Sequence, residues 1–401
     1  MERRPVVIVG SGPAGTSSAL YLCARDRTLA ADALILEKAR HPRPKVCAGG
    51  LIPHTLECLR DLGIDLTVPS VSVRRGRVCV PGGTVDYEDG ELCRVIRRDA
   101  FDHSLVTACR ARGVEVREGE KVRVLRREAG GICIETDHAE YHARVVIGAD
   151  GSGSAVRRQL LDDAGSPIAR AIMCDVPVAD VQWDGWEARR YDFSFADVRH
   201  GLRGYSWIFP CLIDGRPHVN IGVYSAHAAG SGALLSAVLQ RQLRVLGAPA
   251  VPVKSFPIRC YGQGRVTAPN VLLVGDAAGV EALMGEGISY AFDYGRWAAT
   301  ATADALATGR LDFAGAEREL RASWMGKKLR RLDLGARLFY GKHWRLWFAL
   351  ARASRTAQHI GVRWYNGVDG WDRRSGWVAL GAWLRGRAAG SAPRPPLAGA
   401  P

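Results

Sequence analysis

Val6-Val-Ile-Val-Gly10-Ser-Gly12-Pro-Ala-Gly15 lies at the head of the chain. A short apolar run of strand character ends in a glycine-rich turn, and the apolar, alanine-bearing stretch Ala14 to Arg25 follows it. Strand, tight turn and helix in that order aim backbone N–H groups at a helix N-terminus, the arrangement that a dinucleotide pyrophosphate needs. Gly10, Gly12 and Gly15 form the turn, with Pro13 and Ala14 at the start of the helix. The next apolar run, Ala33-Leu-Ile-Leu36, closes on Glu37, whose carboxylate is placed to accept hydrogen bonds from an adenosine ribose.

A second signature stands far downstream. Asn270-Val-Leu-Leu-Val-Gly275-Asp276 reads as another buried strand ending in an acid, followed by Gly285-Glu-Gly287-Ile288 and a helix. Asp276 is expected to hold a ribityl hydroxyl, and the N-terminus of that helix to face the polar edge of a flavin. Between the two lies Val145-Val-Ile-Gly148-Ala-Asp150-Gly151-Ser-Gly153-Ser154, in which Asp150 is expected to fix the fold beside the cofactor. These three elements, in order and spacing over most of residues 1–300, resemble the flavoprotein group that includes p-hydroxybenzoate hydroxylase, flavin-dependent halogenases and geranylgeranyl reductases.

Two further motifs narrow the resemblance. Pro44-Lys45-Val46-Cys47-Ala48-Gly49-Gly50-Leu51 follows the second strand, where glycines allow close backbone approach. In Tyr205-Ser-Trp207-Ile-Phe209-Pro210, alternate residues project from one strand face as an aromatic wall, and Gly222 follows. Both are similar to motifs of the geranylgeranyl reductase family, which saturates isoprenoid double bonds with reduced FAD. The resemblance implies Val46, Cys47, Ala48, Arg98 and Val122 as FAD contacts, with Arg98 on the diphosphate and Lys38 and Lys45 near the same charge. It further implies Cys47 as the chemical residue, and Gly49, Gly50, Tyr205, Trp207, Phe209 and Pro210 as the substrate surface. The family usually has glycine directly after the cysteine, where this chain has Ala48. The same fold also serves monooxygenases and halogenases, whose Trp-x-Trp-x-Ile-Pro stretch Tyr205-Ser-Trp-Ile-Phe-Pro only partly resembles.

Only one GxGxxG with a following acid is present, so no separate nicotinamide domain is expected. Electrons must then come from transiently bound NAD(P)H or from reduced ferredoxin. Ten cysteines without a CxxC pair argue for a reducing cytosol and against a disulfide framework or a metal site. The opening apolar run is interrupted by glycines too early for a signal peptide, and no stretch of about 18 apolar residues suggests a membrane span.

Charge is unevenly spread. Of the net +14, residues 310–401 carry +12, from 18 lysines and arginines against 6 acids, together with seven of the eleven tryptophans. That composition suits a peripheral contact with anionic lipid at the inner membrane face, and no nucleic-acid motif accompanies it.

The expected fold class is α/β: a Rossmann-type FAD-binding domain, an antiparallel β-sheet substrate domain and a helical C-terminal extension. Residues 1–70, 94–165 and 266–310 are assigned to the first, 71–93 and 166–265 to the second, and 311–388 to the third, with helices near 313–340, 344–358 and 375–385. The Gly/Pro/Ala-rich residues 389–401 are expected to be disordered.

Overall fold

The computed structural model describes residues 1–161, 167–262, 264–352 and 355–366. The expected helix at 375–385, the tail at 389–401 and Trp371, Trp377 and Trp383 lie outside the described residues.

Val6–Val9 are buried on both strand faces, as a central parallel strand requires. Strand Glu2–Val9 pairs in parallel with Leu34–Glu37 on one side and Glu140–Gly148 on the other. Val271–Leu273 and Glu115–Glu118 extend the sheet outward, again in parallel. Helix Pro13–Arg25 lies between this sheet and helix Ile288–Thr308, with Ser17 Oγ donating to Ala291 O at 3.0 Å. Gly295 is required there, because a Cβ would lie 2.2 Å from Ser17 Oγ.

The second sheet runs, in spatial order, Lys254–Arg259, Ile168–Pro177, Arg216–Ser225, Gly204–Ile213, Arg190–Ser194, Ser70–Val80, Gly83–Ile96 and Gly50–Leu51. The sequence suggests an all-antiparallel sheet. The structure departs from that at one pair, Arg190–Ser194 with Ser70–Val80, which is parallel. These strands are joined by a long excursion through the other sheet, and such a crossover permits the parallel direction that a hairpin forbids. Pro81-Gly-Gly83 turns a long hairpin, Ser70–Val80 with Gly83–Ile96. One face of the second sheet packs on helix Gly232–Val245 through Ile208, Ile221, Leu235 and Leu239, and the other turns toward the first sheet.

The helix expected over 313–340 is two helices, Ala314–Ala322 and Trp324–Phe339. Ser323 between them is extended (ψ 169°) and its side chain accepts from Gly326 N, an N-cap that restarts the helix. Over and beyond the stretch expected at 344–358, the described residues form helices Trp344–Arg352 and Arg355–Asn366.

Candidate active site

A cleft of about 3100 Å³ lies between the two sheets. The glycine turn of the first strand forms part of its wall, and its three glycines have different physical reasons. Gly10 has φ +103°, and a Cβ there would sit 2.5 Å from Ala149 O; at Gly15 it would sit 1.9 Å from Gly10 O. Both are demanded by protein packing, and Gly15 does not reach the cleft surface. Gly12 has an ordinary φ of −69°, and the atom nearest an added Cβ is Arg43 Nη2 at 3.7 Å. The fold leaves room at Gly12, so the missing side chain serves whatever enters the cleft.

Glu37 is buried, with Oε2 accepting from Ser11 N at 2.9 Å and Ser11 Oγ at 2.8 Å, and Oε1 from Ala39 N at 3.0 Å. Burial would raise its pKa, but Arg43 and these donors outweigh burial and hold the carboxyl below its ordinary value. Arg98 turns its fork onto Asp102, at 2.7 and 2.9 Å, while lining the cleft. Arg43, which the sequence reading passed over, lines the same wall with Nη2 3.3 Å from Asp102 Oδ2. Two guanidiniums over one buried carboxylate leave a net positive wall beside the glycine turn, suited to a diphosphate. Lys38 is exposed at the rim. Lys45 is turned inward, 3.0 Å above the Phe256 ring, and burial pulls it down to about 8 despite Asp276 nearby.

The second signature closes on the first where Gly275 (φ +57°) meets Ala14, a Cβ there falling 2.6 Å from Ala14 Cβ. Asp276 faces the cleft and accepts from Ser152 Oγ at 3.0 Å. Gly285, Gly287 and Ile288 line the same wall at the start of helix Ile288–Thr308, and Val122 lines it from its strand. Asp150 Oδ2 accepts from Ala155 N at 2.6 Å, fixing helix Ala155–Leu160, while its buried Oδ1 has no protein donor. A glycine cradle with room, a buried ribose-type acid and an unfilled acceptor together fit a flavin adenine dinucleotide.

Val46, Cys47 and Ala48 line the middle of the cleft, and Cys47 Sγ accepts from Gly49 N at 3.4 Å. Gly49 and Gly50 also line it, yet their lack of side chain has another cause. A Cβ at Gly49 (φ +82°) would lie 1.9 Å from Ile96 O, and at Gly50 3.1 Å from Phe209 Cε2. These glycines seat the loop against the second sheet.

Tyr205, Trp207 and Phe209 line the cleft, as the alternation implies. Pro210, expected with them, does not: strand alternation turns it to the opposite face, with Ile208 toward helix Gly232–Val245. The structure adds Tyr191 and Phe193 from the antiparallel neighbour strand Arg190–Ser194, and Phe195 just past its end, with Phe193 5.2 Å from Tyr205 and 5.4 Å from Phe209 between centroids. Their own alternation was the available signal. The polar tips are occupied within the protein. Tyr205 OH donates to Met284 O, Tyr224 OH to Ala282 O at 2.9 Å, and Trp207 Nε1 to Asn220 Oδ1 at 2.7 Å. Ring faces, not hydroxyls, remain for a ligand, and the wall is apolar.

His54, Cys58 and Asp293 meet outside the cleft lining with ligand atoms within 4.8 Å of one another, a cluster invisible to spacing alone. Burial pulls His54 down, but hydrogen bonds with Asp293 and Cys58 lift it to about 10. His54 Nε2 pairs with Asp293 Oδ1 at 2.9 Å, an ion pair when the imidazole is protonated.

A parallel sheet with this turn, joined to a second sheet that walls an apolar cleft, defines a flavoprotein oxidoreductase. Residues 3–194 match the model of the FAD binding domain family. Digeranylgeranylglycerophospholipid reductase 1 of Methanopyrus kandleri is 31% identical over 317 residues, 75% of this chain and 80% of the relative. Menaquinone reductase of Mycobacterium tuberculosis is 30% identical over 316 residues, 73% of this chain and 75% of the relative. The crystal structure of a geranylgeranyl bacteriochlorophyll reductase-like protein from Thermoplasma acidophilum shares the fold, with TM-score 0.75 at 19% identity over 96% of this chain and all of that one. The chain belongs to the geranylgeranyl reductase family of FAD-dependent oxidoreductases.

Proposed function

We propose that this enzyme saturates C=C bonds of an isoprenoid, lipid-like substrate. The observation that carries the reading is the continuous aromatic wall, from Tyr191 and Phe193 across to Tyr205, Trp207 and Phe209, where Tyr205 and Trp207 spend their donors inside the protein and the Tyr191 hydroxyl is engaged with Tyr87. Such a wall offers hydrocarbon contact along its length and few groups to pair with a polar ring, so it favours an apolar chain over a hydroxylated aromatic. Gly10 to Gly15, Glu37, Arg43, Arg98 and Asp276 would hold FAD, which supplies a hydride when reduced. The protein's own contribution is to exclude water, to align the alkene beside Cys47 and to provide the second hydrogen as a proton. NAD(P)H or reduced ferredoxin supplies the electrons from outside.

The test is anaerobic. Reduced enzyme mixed with a polyprenyl substrate reoxidises its flavin, and Cys47→Ala keeps FAD but slows or redirects that reoxidation. Reoxidation that requires oxygen, with an oxygenated or halogenated product, refutes the reading in favour of monooxygenase or halogenase chemistry.

The substrate's home is consistent with the outer surface of the last described helices. Lys327, Arg330, Arg331, Leu334 and Arg337 are exposed along Trp324–Phe339, and Arg345 and Leu346 along Trp344–Arg352, with Leu334 and Leu346 55% and 56% exposed. Basic heads around apolar tips suit a peripheral seat at the anionic inner membrane face. No helix among the described residues is long and apolar enough to cross a membrane. Each basic side chain near such a surface contributes about 1 kcal/mol, screened beyond about 8 Å at physiological salt. The protein should therefore float with anionic liposomes, less as salt rises, and not with neutral ones. Equal, negligible flotation with both refutes the membrane seat.

A further inference from the structure

Saturating a C=C bond adds a hydride to one carbon and a proton to the other, and the proton donor must itself be resupplied. Five tyrosines line the cleft: Tyr87, Tyr191, Tyr205, Tyr224 and Tyr365. Tyr87 and Tyr191 share one hydrogen bond between their hydroxyls, with no carboxyl bonded to either among the described residues, and Tyr205 and Tyr224 donate to the carbonyls of Met284 and Ala282. A carbonyl holds no proton with which to replace one given away. Tyr365 differs: its OH donates to Glu281 Oε1 at 3.1 Å, and Glu281 is 0% exposed.

The fold holds this pair firmly. Glu281 Oε2 accepts from Leu283 N at 2.7 Å, and Oε1 accepts from Met284 N at 2.9 Å and Glu286 N at 2.8 Å. It thereby shapes the loop that leads into Gly285 and Gly287. Tyr365 closes helix Arg355–Asn366, and its carbonyl accepts from Lys328 Nζ at 3.0 Å. Glu286, the neighbouring acid, is committed to Ser289 N and Oγ at the start of helix Ile288–Thr308.

We propose that Tyr365 gives the proton to the alkene carbon and that Glu281 restores it; the proposal rests on the reductase reading above. As the reduced flavin's hydride accounts for one new C–H bond and both electrons, the O–H bond of Tyr365 breaks and the second C–H bond forms. The phenolate then takes the carboxyl proton of Glu281, and water reprotonates the carboxylate. Burial drives the Tyr365 phenol well above its ordinary value, so it yields a proton only with an acid behind it.

Glu281 is faced by Glu286 on its own loop, Tyr205 and Tyr224 from the second sheet, and Cys260 just past that sheet's Lys254–Arg259 strand. Tyr290 faces it from helix Ile288–Thr308, Lys328 from helix Trp324–Phe339, Tyr340 from that helix's C-cap, and Tyr365 from the last described helix. Burial raises Glu281 to about 7, with Glu286 adding to it and the backbone donors opposing. The acid form, and with it the proton supply, prevails below that value and declines as pH rises through it.

The experiment uses the FAD-loaded enzyme, Tyr365→Phe and Glu281→Gln, with a polyprenyl alkene in single turnover and infrared titration without substrate. Expected are unchanged flavin absorbance in both variants and a wild-type rate that falls above about pH 7. Tyr365→Phe should be slower by about 100-fold, the scale of one positioned acid, and Glu281→Gln slower without the alkaline fall. In the infrared, a protonated carboxyl band titrating near the same pH should vanish in Glu281→Gln and shift in Tyr365→Phe. Tyr365→Phe at the wild-type rate, or no such band in the wild type at about pH 6, overturns the proposal while the reductase reading stands. A wild-type enzyme that reduces no prenyl alkene overturns both.

Discussion

Gly12→Val should give a folded protein that purifies colourless. The expectation follows from the contrast inside one turn. A side chain at Gly12 meets no protein atom closer than Arg43 Nη2 at 3.7 Å and needs no unusual φ, so the fold accepts it. The space it fills is where backbone N–H groups would approach the pyrophosphate, and overpacking there by about 3 kcal/mol weakens FAD about 100-fold. Gly15→Val is the matched control, since its Cβ would lie 1.9 Å from Gly10 O and must disrupt the turn itself. The measurement is flavin absorbance per folded protein, with circular dichroism as the folding check. Wild-type FAD occupancy in Gly12→Val contradicts the assignment of the cradle.

Trp207→Ala should keep FAD and lose the substrate. Trp207 is 5% exposed and held at its indole nitrogen and across its ring. Its Nε1 donates to Asn220 Oδ1, and Asn220 in turn donates to Asp175 Oδ1 at 2.7 Å. Its ring lies so close over Gly222 that a Cβ there would be 2.1 Å from Cζ2, which explains why glycine follows the aromatic motif at that position. Removing such a ring costs about 3–5 kcal/mol of packing, here shared between the sheet and the substrate chain. The apparent KM for a polyprenyl substrate should rise by at least about tenfold, with the flavin spectrum unchanged. An unaltered KM in a folded, yellow variant would remove Trp207 from the substrate wall.

The parts legible in sequence were those with a local period. Val6 to Gly15 carries strand, turn and helix within a few residues, and Gly275-Asp276 repeats the device, so both were readable without a partner in view. Tyr205, Trp207 and Phe209 could be placed on one face because a strand alternates strictly, and the same rule excludes Pro210. Arg43 was missed because the loop His41-Pro-Arg43-Pro-Lys45 has no period, and only the fold brings it to Asp102. Tyr191 and Phe193 were recognisable as strand residues, but their place beside Phe209 depends on sheet pairing. Gly49 and Gly50 carried a misleading signal. Glycine beside a cleft suggests ligand approach, whereas these two answer to Ile96 and Phe209. Glu281 and Tyr365 stand 84 residues apart, and no sequence pattern joins them.

The central claim is that the apolar cleft beside the flavin cradle reduces isoprenoid double bonds. Mass spectrometry of the product from anaerobically reduced enzyme and a polyprenyl substrate tests it most directly. The account predicts a product heavier by two hydrogens per reduced bond, formed without oxygen and bearing a solvent-derived hydrogen at one carbon of each pair. Substrate recovered unchanged under those conditions, with oxygen or halide incorporated only in air, would contradict it.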